Sequence, residues 1–209
     1  DVSFDNGRKD LLPHEKSDVA ALARTLGLAR LVVGGDLLVA AERPVVSIGG
    51  VAVEIEPGLF LQAVPQAERL LAVLCVAALP KRTKMVADLF SGVGTLALPV
   101  ARRAAVTAYD SDRRAISALA GAVRHAQGLK PVTAVVRDLF RDPLSVRELN
   151  AFDAVVLDPP RAGAAAQAER LAASKVPVVI AVSCKPATLA RDARLLVDGG
   201  YRMGPVTPI

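Results

Sequence analysis

Four places in this sequence hold residues whose types and spacing fit them for chemistry. The first is the run Asp88-Leu89-Phe90-Ser91-Gly92-Val93-Gly94-Thr95-Leu96-Ala97. Glycines at a strand-to-helix turn let the backbone approach a ligand and leave amides facing it. Gly92-x-Gly94-x-x-Ala97 fits the dinucleotide fingerprint, and Asp110 ends the next apolar run, where a ribose-binding acid belongs. That spacing suits a nicotinamide enzyme and an adenosylmethionine enzyme alike, and a tight turn without ligand is a third reading. Asp88, directly before the turn, favours the second. A carboxylate there repels a pyrophosphate and attracts the cationic amino acid end of S-adenosylmethionine.

The remaining places follow two later apolar runs. Asp158-Pro159-Pro160-Arg161-Ala162-Gly163 succeeds residues 152–157. Its prolines fix the backbone and remove two donors, which presents the Asp158 carboxylate at a defined place. The bland alternative is a strand end at which Asp158 caps a helix. Ser183-Cys184-Lys185-Pro186 comes next. A thiol beside a helix N-terminus and a lysine has a lowered pKa and can act as a nucleophile. A solitary cysteine is more often a small buried apolar residue, and Cys75, inside an apolar helical run, is that case. Two cysteines, neither in a CxxC, and two histidines exclude a self-contained zinc or iron–sulfur site.

These residues need elements to hold them. From Pro65 onward apolar strands alternate with amphipathic helices. Helices are predicted over 66–79, 95–103, 113–127, 164–174 and 187–198, and strands over 85–90, 105–110, 132–136, 152–157 and 178–183. Such alternation implies a parallel sheet covered on both faces, a doubly wound α/β domain. Tyr201 onward is read as the start of a further strand. Residues 1–64 form a smaller mixed α+β segment. There Ser17 is expected to cap a helix through Leu28, followed by strands at 31–33, 37–41, 45–48 and 51–55.

Composition sets the bounds. In 209 residues, 52% apolar and 22% charged side chains exclude a disordered chain. The longest apolar runs, 70–79 and 176–182, are too short to span a bilayer. With no basic-then-apolar leader, a cytoplasmic location is expected. The net charge is +5, and 19 of the 26 basic residues are arginine, whose planar fork suits phosphate. A polyanionic partner therefore fits, although high-GC coding also favours arginine. Seven aromatic residues argue against a base-stacking platform.

Together the loops resemble the RNA 5-methyluridine methyltransferases, a class I S-adenosylmethionine-dependent family, over roughly residues 60–201. The most specific parts are DPPRAG at 158–163 and SCKPATLARD at 183–192. DLFSGVGT at 88–95 is shared by many methyltransferases, and Phe60-Leu61-Gln62 resembles the motif that leads into the family's cofactor domain. The resemblance implies a Rossmann-like sheet that binds S-adenosyl-L-methionine. Gln62, Phe90, Gly92, Gly94, Thr95, Asp110 and Asp158 would line that site. Cys184 would be the nucleophile that adds to carbon 6 of a uridine, so that carbon 5 can be methylated. RNA would be the partner, ribosomal ahead of transfer RNA, with no metal, membrane or obligate protein partner.

Three departures accompany the resemblance. Lys185 stands where the family typically has asparagine. The family's general-base glutamate belongs to a stretch beyond the last motif and is expected beyond residue 209, and neither Glu148 nor Glu169 is taken as its substitute. The family's N-terminal RNA-binding barrel and iron–sulfur cysteines have no counterpart here. The expectation is therefore a catalytic core: 1–64 as a remnant of the central domain, and 65–209 as the cofactor domain without its final strand. The rival readings are an RNA-binding module that keeps the cofactor fold without turnover, and a nicotinamide-dependent oxidoreductase.

Overall fold

The computed structural model describes residues 2–4 and 11–209. Residues 1 and 5–10 of the N-terminal segment lie outside the described residues. The chain begins with β1 (Val2–Phe4), α1 (Pro13–Thr25), β2 (Arg30–Val33) and β3 (Asp36–Ala40). Strand β2 pairs parallel with β1 and antiparallel with β3. Helix α1 covers this small sheet, packing Ala20 and Ala23 with Leu31, Val33 and Val39. It starts four residues before the expected cap. Pro13 presets the helical φ, and the Glu15 carboxylate accepts the Leu12 N–H at 2.9 Å, so Ser17 lies inside the helix rather than at its end.

A hairpin of β4 (Val45–Ile48) and β5 (Val51–Glu54) leads to α2 (Pro65–Ala78). The main sheet then builds from β6 (Met85–Leu89), β7 (Ala105–Asp110), β8 (Val132–Val136), β9 (Ala154–Leu157) and β10 (Val179–Ala181). Its helices are α3 (Ala97–Ala101), α4 (Arg113–His125), α5 (Val146–Leu149), α6 (Ala165–Ala172) and α7 (Pro186–Asp198). All five strands are parallel, in the order β10-β9-β6-β7-β8. This is the doubly wound, Rossmann-like sheet expected from the alternation of strands and helices. Among the described residues, no helix is long and apolar enough to cross a membrane.

Strand pleating sorts the core into two layers. On one face Val86, Val106 and Val156 pack with Leu98 and Leu119, with Cys75 of α2 and Leu79 just beyond it, and with Ile48, Val51 and Val53 of the hairpin. On the other face Ala87, Leu89 and Val155 pack with Leu144, Leu149, Leu171 and Leu196. Asp88 falls on the first face, between Val86 and the covering helices, with 1% of its surface exposed.

Three boundaries differ from expectation. Helix α3 is shorter than 95–103, because Pro99 has no N–H for the Thr95 carbonyl and the regular ladder begins at Ala97. The short α5 has no apolar periodicity to announce it; Ser145 and Glu148 close it with reciprocal bonds. No strand forms after Tyr201. Instead the Tyr201 N–H donates to the Leu196 carbonyl and its hydroxyl to the Val176 carbonyl at 2.6 Å, and Gly204, Pro205 and Pro208 follow.

Candidate cofactor and catalytic site

In an open parallel sheet, ligands bind outside the carboxyl ends of the strands. Here ladder bonds run to the last residues of those strands. Ser91 donates to the Tyr109 carbonyl, Asp158 to Leu89, Val182 to Leu157 and Arg137 to Asp110. The loops therefore emerge side by side, placing Cys184, Asp158, the glycine turn, Asp110 and Asp138 in that order across one edge.

The glycine turn is shaped by backbone geometry. Phe90 leaves the strand with φ 63°, a left-handed conformation that costs a non-glycine residue roughly 1–2 kcal/mol. Its ring packs on Phe140, with centroids 5.3 Å apart. Asp110 fixes the loop from the neighbouring strand: one carboxylate oxygen accepts the Gly92 N–H and the other the Asp112 N–H, both at 2.8 Å. Each oxygen keeps a lone pair for a further donor such as a ribose hydroxyl. At Gly94, φ 95°, a Cβ would stand 2.6 Å from a methyl of Leu119, which would have to shift, and the left-handed backbone strains any side chain placed there. At Gly92 a Cβ would meet nothing within 4 Å, which leaves that backbone open to a ligand. Thr95 is half-buried beside it. Gln62 is half-buried on the linker between β5 and α2, and the structure gives it no hydrogen bond to the other candidates.

Beneath the turn lie two acidic side chains, Asp88 and Asp158, with no counter-charge among the described residues. Neither carboxylate oxygen of Asp88 has a hydrogen-bond partner among the described residues. Burial, then the neighbouring Asp158 and Asp110, push its pKa well up; the Ala97 amide, close without completing a bond, offsets only part. Asp158 is raised to about 6, chiefly by burial. Cys75, also in this layer, is raised to about 12 by burial and by the charges of Asp88 and Asp158. Buried carboxylates without partners are costly, and they become favourable once a cation is placed against them.

That arrangement predicts a pH dependence. A carboxylate whose folded pKa exceeds its unfolded value contributes stability below the unfolded pKa and loses it as pH rises through the folded one. For Asp158 the window runs from about 4 to about 6, and the charged form costs the ligand-free protein up to about 3 kcal/mol above it. Asp158→Asn is therefore expected to raise the urea midpoint at pH 7 and flatten its change between pH 4 and 6. An unaltered pH profile would show that Asp158 is not strained in the free protein.

The loop at 158–163 is held by α7. The buried Asp192 carboxylate accepts the Ala164 N–H at 2.6 Å and pairs with Arg191 at 2.7 Å. Arg191 also donates to the Ala162 carbonyl at 3.0 Å, and Thr188 to the Arg161 carbonyl at 3.3 Å. Gly163, φ 75°, sits against this clamp, where a Cβ would come within 2.9 Å of all three side chains. The two sequence motifs thus form one unit. Cys184, just before α7, is exposed, and Lys185 follows it at the helix N-cap. Brief iodoacetamide treatment of the folded protein is expected to modify Cys184 and spare Cys75, which is 3% exposed and carries its raised pKa. Peptide mapping that found Cys75 modified first would reverse the assignment.

The structure adds residues that sequence reasoning missed. Asp138, just beyond β8, accepts the Phe140 N–H at 3.0 Å and turns Phe140 over Phe90. Arg137 pins the same loop through Asp142 and Glu148. An acid at the end of a third strand was the available signal. Glu148 is committed here, held down to about 2 by Arg137 and Ser145. A carboxylate held that low is a weak proton acceptor.

The family model described as "methyltransferase small domain" matches residues 52–176. The chain belongs to that family. Its methyltransferase domain is similar to that of an uncharacterized RNA methyltransferase of Rhizobium meliloti, 49% identical over the whole chain and 50% of the relative. It is 42% identical to a 23S rRNA uracil-1939 carbon-5 methyltransferase of Chromohalobacter salexigens, over 70% of this chain and 30% of that one. Among solved structures, the Pyrococcus abyssi tRNA uracil-54 C5-methyltransferase, in complex with S-adenosyl-L-homocysteine, superposes with TM-score 0.68 at 28% identity. That match covers 80% of this chain and 43% of the other. The chain spans about half the length of the curated relatives it matches. The resemblance drawn from the loop motifs to RNA uracil-5 methyltransferases agrees with these relatives.

Proposed function

We propose that this methyltransferase domain methylates carbon 5 of a uridine in RNA, using S-adenosyl-L-methionine and Cys184 as a covalent nucleophile. One observation carries the reading: the exposed Cys184 thiol and the uncompensated Asp88–Asp158 carboxylates occupy neighbouring strand ends. S-adenosylmethionine supplies an electrophilic methyl group on a sulfonium. The residues present fit it. Asp88 and Asp158 offer negative charge to its ammonium end, Asp110 a carboxylate for ribose hydroxyls, and Gly92 an open backbone, with Gly94 and Thr95 shaping the turn beside it. Phe90 and Gln62 complete the proposed lining.

Carbon 5 of uracil is a weak nucleophile. When the Cys184 thiolate bonds to carbon 6, the ring electrons shift to carbon 5 as an enolate, which can then accept a methyl group. Loss of the carbon 5 proton to a base re-forms the ring double bond and expels the thiolate. To reach the thiolate, the uridine must leave its stack. Ribosomal RNA is proposed ahead of transfer RNA because the 42% identical relative is named for 23S rRNA.

The test is to incubate the protein with ribosomal or transfer RNA and methyl-labelled cofactor, then separate the digested nucleosides. Label in 5-methyluridine is the expected result; label in another nucleoside would overturn the uracil assignment. Cofactor and RNA binding without any label would favour the non-catalytic module, which Lys185 beside the thiol and the unassigned general base encourage.

A further inference from the structure

The amino ends of the strands, opposite the candidate site, gather basic side chains. Lys81, Arg82 and Lys84 precede β6, Arg102 and Arg103 follow α3, and Lys130 precedes β8. Short bonds hold these turns together. The Lys130 N–H donates to the Ala101 carbonyl at 2.7 Å, the Ala105 N–H to the Lys84 carbonyl at 2.8 Å, and Arg103 to the Pro80 carbonyl at 3.3 Å. Arg124, in the last turn of α4, extends the group.

Helix C-termini carry partial negative charge and attract arginine, so part of this cluster is structural. Arg103 donates to the carbonyls of Val76, Leu79 and Pro80, which end α2, and Arg102 donates to the Gly49 carbonyl of the hairpin turn. Those two are accounted for. Lys81, Arg82, Lys84, Arg124 and Lys130 are not: all five are exposed, and among the described residues none of their side chains makes a hydrogen bond or ion pair. Asp153, which leads into β9, is an acid at this edge; one of its oxygens accepts the Lys84 and Met85 N–H groups at 2.8 and 3.0 Å, and its charge acts on Lys84 but on none of the other four. The ligand edge, by contrast, sets Asp88, Asp110, Asp138 and Asp158 among its cations Arg137, Arg161 and Lys185.

We propose that this rear edge binds the phosphate backbone of the substrate RNA, as a second contact surface remote from the thiol. The proposal rests on the reading of the protein as an RNA methyltransferase. Unpaired cations set on separate turns suit a phosphate chain, which needs charge rather than an apolar centre. A protein partner would require apolar and aromatic surface at the middle of the patch. The turns at 80–84, 101–105 and 126–131 contain no Phe, Tyr or Trp. Strand β6 alone separates the two edges by about 17 Å, taking roughly 3.3 Å per residue over its five residues. A long folded RNA can reach both edges; a uridine trinucleotide, with one nucleotide on either side of the target, is too short.

The experiment compares the unaltered protein with Lys81→Ala/Arg82→Ala/Lys130→Ala, which leaves the structural Arg102 and Arg103 in place. Binding of a ribosomal RNA transcript, of the uridine trinucleotide and of S-adenosylhomocysteine is measured over a salt series. For the transcript, the salt slope is expected to fall by about 2, near 0.7 for each lost phosphate contact, with at least tenfold weaker binding at about 0.1 M salt. The trinucleotide and S-adenosylhomocysteine should bind as before. Lys130→Gln alone, expected to lower the slope by about 0.7, serves if the triple variant fails to fold. Unchanged transcript affinity and slope would overturn the proposal, leaving the edge to an acidic protein surface and the methyl-transfer reading intact. An unaltered protein that binds no RNA would overturn both.

Discussion

Cys184→Ala is expected to lower methyl transfer to RNA by at least about 10⁴-fold, while S-adenosylhomocysteine binds within about twofold of the unaltered protein. The size follows from what the thiol does: without the bond to carbon 6, carbon 5 has no enolate character. Removal of an enzymatic nucleophile typically costs 10⁴-fold or more. The binding half of the expectation follows from position. Residue 184 is exposed, and the clamp beneath it is built from Thr188, Arg191 and Asp192 instead. Its loss therefore leaves the 158–163 loop where it was. Labelled-methyl transfer and calorimetry on the same preparation separate the two halves. Residual transfer above about 1% would remove Cys184 from the mechanism without removing the methyltransferase assignment.

The second large effect concerns stability. Asp192→Ala is expected to cost about 2–4 kcal/mol, because it leaves the buried Ala164 N–H without an acceptor and frees Arg191 from its partner. Arg191 is nearly half exposed, so solvent recovers part of its loss and the upper figure is a ceiling. In a protein of this size the melting temperature should fall by roughly 4–16 °C. Asp192→Asn keeps an oxygen for the Ala164 N–H and should recover about half the difference. Both variants should also weaken S-adenosylhomocysteine binding, since the loop carrying Asp158 loses its anchor. Denaturation curves that coincide with the unaltered protein would show that the loop holds its own shape through Pro159 and Pro160.

Much of this was legible in the residues. Apolar runs bounded by glycine, proline and charge gave the main-sheet strands to within a residue or two, because strands buried on both faces leave few other readings. Asp110 is at the predicted strand end, and Cys184 and Asp158 are on neighbouring ones. What escaped depends on partners distant in sequence. The role of Asp192 needs Ala164, and that of Arg137 needs Glu148; neither pairing leaves a local pattern. Phe90 reads as a continuing strand, yet its φ of 63° ends β6 one residue early and turns the chain into the glycine loop. Pro99 was visible all along, and its missing donor was the clue to the shorter α3.

The hairpin at Val45–Glu54 has a consequence for how this chain can be divided. Ile48, Val51 and Val53 share one core layer with Val86 and Leu119, and Arg102 reaches back to the Gly49 carbonyl. A fragment starting at Pro65 would bare to water the faces of α3 and α4 that the hairpin covers. Recombination, circular permutation or grafting onto another carrier must therefore break the chain before residue 45, near Arg43 and Pro44, to move the cofactor sheet intact. Mutational and evolutionary exchange across residue 64 therefore replaces part of a shared interior, not a detachable module.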